Sequence, residues 1–172
     1  MLLLIVPLFA ASCGSSHHAS PTAPVARQTV TGPGFRFAAP AGWRVEHGDR
    51  SVSASSGSAS PAIVSAASYV LGKAYAPADF AAAAKELDSV AAKLAQAAGG
   101  TVTASQTMRV DGRRIRAYRF SAKRSGDGAY ADRVGFVLDG KREVQLLCEA
   151  PAAALDPEGA CALLFASFRL TR

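Results

Sequence analysis

The chain has 172 residues, 49% of them hydrophobic and 19% charged, with three cysteines and a formal net charge of +6. That length accommodates one ordinary domain and not two, and a chain of this size can bury enough surface to fold without a structural metal or cofactor. The basic balance favours anionic partners or surfaces over cationic ones, a statement about encounter and not about fold.

The opening stretch MLLLIVPLFAAS, residues 1–12, is apolar but short. A membrane-crossing helix needs about 20 apolar residues, whereas 12 residues reach only about 18 Å. The length matches the apolar region of a secretory signal, and Ala10, Ala11 and Ser12 supply the small residues that a signal peptidase accepts. The small-small-Cys ending at Cys13 resembles the lipobox of bacterial lipoproteins, which implies a lipid on the Cys13 thiol and a membrane anchor on the extracytoplasmic side. The segment departs from that pattern in having Ala10 where the family usually has Leu, and in lacking a basic residue ahead of the apolar run. A plain secretory signal cut near Ala11 is the alternative. Residues 13–30, rich in Ser, Pro, Ala and Gly, read as a disordered tether. Its His17 and His18 are too few for a folded metal site, which needs three or four ligands.

The domain is expected over residues 31–172. In GFRFAAPAGWRVE, Phe35 and Phe37 alternate ahead of a Pro-x-Gly-Trp turn, which predicts two short strands around a corner. SPAIVSAASYVLG predicts a strand buried on at least one face. A helix over about 79–98 follows, with Asp79 in its first turn and Gly99 at its end. Its inner stripe is expected to be Phe80, Ala84, Leu87, Ala91, Leu94 and Ala98, with Lys85, Asp88, Lys93 and Gln96 elsewhere. The period then changes to two in TVTASQTMRV. Asp111-Gly112 supplies a two-residue hairpin turn, and Asp139-Gly140 repeats the device between ADRVGFVL and KREVQLLCEA. A short helix closes the chain. These elements make an α+β domain with a mostly antiparallel sheet.

The sequence FRFAAPAGW at 35–43, the helix near 79–98 and CALLFASF at 161–168 together resemble the PsbP-like family. The resemblance implies an α/β/α sandwich, seen in a photosystem accessory protein, a nuclear import factor and many small bacterial lipoproteins, including actinobacterial ones. It implies an accessory or binding role and carries over no catalytic residues.

Alternation places Val144, Leu146 and Cys148 on one strand face, with Glu143, Gln145 and Glu149 on the other. Cys161, Leu164, Phe165 and Phe168 share the buried stripe of the closing helix. Both thiols therefore point into the space between strand and helix, which in an exported protein predicts a Cys148–Cys161 disulfide.

Catalytic signatures are weak. His47 is the only histidine of the domain and sits at a polar strand edge, and the Gly126 and Gly128 pair specifies no site. No HExxH, CxxC, EF-hand or phosphate-loop spacing occurs. The remaining feature is electrostatic. The first hairpin pairs Arg109 with Arg114 and Thr107 with Arg116, and sets Ser105 opposite Tyr118, on the face away from Met108, Val110 and Ile115. Like charges directly opposite are destabilising, so Arg109, Arg114, Arg116 and Tyr118 form a candidate contact for an anionic lipid, a cell-wall polymer or an acidic partner protein, the alternative being a solvated basic face. Nucleic acid is absent from the expected compartment. The leading expectation is a lipid-anchored, non-catalytic accessory or binding domain without a cofactor. The runner-up is a carrier of a small apolar or amphipathic ligand in a cleft between sheet and helix.

Overall fold

Val30, Phe35, Phe37, Val52, Val64, Val144 and Leu146 alternate along their strands with exposed or half-buried neighbours, and each is at most 2% exposed. That period of two lays one apolar face across two sheets, which is why they stack. The computed structural model describes residues 26–57, 61–124, 128–152 and 159–171. In chain order the elements are β1 (Arg27–Gly32), β2 (Phe35–Pro40), β3 (Arg44–His47), β4 (Ser51–Ser55), β5 (Ile63–Tyr75), α1 (Phe80–Ala97), β6 (Thr101–Val110), β7 (Arg113–Arg124), β8 (Gly128–Pro151), α2 (Ala160–Ser167) and β9 (Arg169–Leu170). The larger sheet runs β3-β4-β5-β8-β7-β6 and the smaller β1-β2-β9, with antiparallel pairing throughout.

β8 doubles back within its length. A straight strand would hold Arg133 and Cys148 about 50 Å apart at roughly 3.3 Å per residue, yet both line one pocket. Gly140, in the left-handed region at φ 59°, marks the reversal. The N-terminal arm pairs with β7 and the C-terminal arm with β5, so the expected second hairpin is present inside a single run of strand. The first turn is also as expected, with Asp111 at φ 50° and Gly112 at φ 73°, the pair of positive angles that matches the twist of the strands.

On one face of the large sheet lie the small sheet and α2. Phe168 stacks on Phe35 at 6.0 Å between ring centroids, and Ser167 ties α2 to β2 by accepting from the Ala38 amide at 2.7 Å. Gln28 closes the Pro-x-Gly-Trp corner, donating to the carbonyls of Pro40 and Trp43 at 3.1 and 2.7 Å. On the opposite face, α1 buries Leu87, Ala91 and Ala95 against Tyr118, Phe120, Val134 and Phe136. The result is the α+β sandwich expected, a sheet with helices on both faces.

Three boundaries differ from expectation. The domain begins before residue 31: β1 starts at Arg27 and buries Val30 to 1% exposure, because Gln28 and Val30 are held by the corner and by β2. The inner stripe of α1 keeps Phe80, Leu87 and Ala91 as expected but ends on Ala95, leaving Leu94 38% exposed. Glu149, expected outside, is buried at 7% exposure. The signal-like residues 1–12, Cys13, His17, His18 and Gly126 lie outside the described residues.

α2 can sit close to the sheet because Gly135 has no side chain. A methyl group there would lie 2.6 Å from Phe165 Cε1 and 3.2 Å from Ile115 Cδ1. Gly135→Ala is expected to destabilise the fold by about 1–3 kcal/mol through overpacking, read as a lower urea midpoint at unchanged slope. An unchanged midpoint would show that α2 does not seat there.

Candidate functional site

The four residues of the basic hairpin take the register expected, with Arg109 opposite Arg114, Thr107 opposite Arg116 and Ser105 opposite Tyr118. They do not form one open surface, because α1 lies over this face. Tyr118 is 2% exposed and donates its hydroxyl to Asp88 Oδ1 at 2.7 Å. Arg116 donates from Nε to the same oxygen at 3.0 Å and from Nη2 to Ser105 Oγ at 2.9 Å. The Arg114 guanidinium stacks over the Phe80 ring at 4.2 Å, while Arg109 donates to the Gly112 carbonyl at 2.9 Å. Two of the groups that sequence reasoning offered to an anion, Arg116 and Tyr118, are committed to a carboxylate of the chain itself.

Hydrogen bonds from Tyr118 and then Arg116 hold the Asp88 carboxyl below its ordinary range, while burial and the adjacent carboxylate push the Tyr118 phenol well above its own. A carboxyl with a depressed folded pKa adds stability above its unfolded value near pH 4, and that stability is lost as the pH falls through the folded value. His47 is exposed at the end of β3. Among the described residues no three His, Cys, Asp or Glu side chains converge to hold a metal ion, and no helix is long and apolar enough to cross a membrane.

Cys148 and Cys161 are joined, with Cα atoms 5.5 Å apart, as the two facing stripes predicted. In the chain-entropy model a loop of this length contributes about 3 kcal/mol. The bridge fastens the first turn of α2 to the C-terminal arm of β8, and beside it opens a pocket of about 490 Å³. This is within the range of small-molecule sites. The pocket crosses the sheet from Val64 on β5, past Cys148 and Arg133 on the two arms of β8, to Arg119 on β7, with Trp43 and Ala160 as walls. Arg119 and Arg133 are directly opposite one another. The Arg133 guanidinium lies 4.4 Å over the Phe165 ring and donates to Met108 Sδ at 3.3 Å. Arg119 is exposed and forms no ion pair with a described residue. Sequence reasoning missed both arginines. The available signal was an Arg at the third position of the inward set Ile115, Ala117, Arg119.

Neither a known family model nor a curated protein sequence matches the chain. Solved structures do. The solution structure of cyanobacterial PsbP (CyanoP) from Synechocystis superposes with a TM-score of 0.60 at 13% identity, covering 93% of this chain and 98% of the other. LpqN, described as involved in cell envelope biogenesis of Mycobacterium tuberculosis, gives a TM-score of 0.60 at 15% identity over 86% of this chain and 92% of its own. A protein from Bacteroides thetaiotaomicron gives 0.54 at 10% identity, covering 87% of this chain and 49% of that one. At these identities the likeness establishes the fold, which is PsbP-like.

Removing the Asp88 carboxylate leaves the buried Tyr118 hydroxyl without its acceptor. Asp88→Ala is therefore expected to cost about 1–3 kcal/mol at neutral pH. It should also flatten the acid limb of stability between about pH 5 and pH 2, measured by urea unfolding at each pH. Parallel acid limbs for the variant and the parent would remove Asp88 from this role.

Proposed function

We propose that this chain is an exported, lipid-anchored and non-catalytic accessory or binding domain that works on the extracytoplasmic side of the cell membrane. The observation that carries the reading is the Cys148–Cys161 bridge, since disulfides persist in oxidising, extracytoplasmic compartments. With those two cysteines joined, Cys13 is the third and last cysteine of the chain, placed directly after a signal-like apolar run. Lipidation of its thiol would tether the domain to the membrane through residues 14–26. The likeness to LpqN, whose description places it in cell envelope biogenesis, agrees with this address. The partner expected there is anionic: a lipid headgroup, a cell-wall polymer or an acidic protein, met first by the exposed Arg109 and Arg114 on the rim of the first hairpin.

The pocket beside the bridge favours a second reading, a carrier of a small apolar or amphipathic ligand. The pocket has Ala160 and Cys161 of α2 in its lining, which supports this reading. Lipid anchoring is tested in a bacterial host with its own lipoprotein-processing enzymes. The chain is expected in the membrane fraction, carrying lipid, and Cys13→Ser is expected to release it into the soluble extracytoplasmic fraction. A parent protein that is itself soluble, cut near Ala11 and free of lipid, would overturn the anchor.

A further inference from the structure

We propose that the pocket under α2 selects amphiphiles with an anionic head, held by Arg119 and Arg133, over neutral or cationic ones of the same chain length; this rests on the carrier reading of that cleft. Two arginines face each other across adjacent strands, an arrangement that costs stability unless something offsets the repulsion. Their settings differ. Arg133 is fixed, stacked over Phe165 and bonded to Met108. Arg119 is exposed at the pocket and forms no ion pair with a described residue. A fixed guanidinium beside an uncommitted one suits a carboxylate or phosphate, whose oxygens accept paired N–H bonds from such a fork.

Most of the rest of the lining is apolar. Val64, Ala131, Ala150, Ala160, the disulfide and Trp43 form a surface that an alkyl chain can cover. Asp132 and Glu149 also border the pocket. Both are already engaged within the protein. Arg119 is the charged lining residue left exposed and without an ion pair to a described residue. A carboxylate and a phosphate share the required chemistry, and both are tried below.

Trp43 is the single tryptophan of the chain and lines the pocket, so its fluorescence reports occupancy without a label. Full-length protein is titrated with dodecanoate, dodecyl phosphate, dodecanol and dodecyltrimethylammonium, each below its micelle concentration. Saturable changes are expected with the two anions at least tenfold tighter than with the alcohol or the cation. Arg119→Gln, at an exposed position, is expected to weaken the anions at least tenfold and to change dodecanol binding less than twofold. If the alcohol binds as tightly as the anions, or if Arg119→Gln binds dodecanoate like the parent, the head-group selectivity is overturned while the carrier reading stands. If no amphiphile gives a saturable change, both fall.

Discussion

The Cys148–Cys161 bridge is the constraint on which the functional side of this molecule depends. α2 is only eight residues long, too short to be stable by its own backbone bonds, and its position is set by what it is fastened to. The bridge holds its first turn to β8, Phe165 drops onto the bare backbone of Gly135, and Phe168 caps the small sheet at Phe35. With α2 fixed in this way, the sheet on one side of it stays uncovered as a pocket.

The opposite face is organised by a different interaction. There α1 is seated by apolar packing, and its angle is fixed by Asp88, which receives both the Tyr118 hydroxyl and the Arg116 guanidinium. The pair is partly exposed, so its Coulombic contribution is modest; its weight comes from satisfying a hydroxyl that is buried. This leaves the two faces chemically distinct. One is closed over an internal polar clasp, and the other is open beside two arginines.

Much of this was legible because strand and helix periods are strong signals. The Asp111-Gly112 turn predicted a register that the hairpin keeps from Val110 back to Ala104, and the stripe on α2 predicted the disulfide partner. What failed did so for physical reasons. Residues 27–30 carry no hydrophobic run, and β1 forms by pairing along its whole length with β2, with Gln28 tied to the carbonyls of Pro40 and Trp43, contacts that the pattern of residues 27–30 alone does not report. On an Ala-rich helix, stripes through Leu94 and through Ala95 are nearly equivalent by pattern, and only the sheet beneath distinguishes them. Asp88, next to the buried Leu87, reaches Arg116 and Tyr118 across the sheet edge, which makes an apparent anion-binding face an internal contact. The arginines that border a cavity, Arg119 and Arg133, stand on the inward faces of their strands, where period-two patterning predicts packing and not a site.

The central claim is that the disulfide holds α2 as a wall of the pocket, and amide hydrogen exchange of the full chain with and without reductant tests it most directly. Breaking the bridge is expected to speed exchange at Leu164 and Phe165 by roughly a hundredfold, the equivalent of about 3 kcal/mol, while the amides of Tyr118 and Phe136 on the other face change little. Equal protection of α2 in both states would contradict the claim.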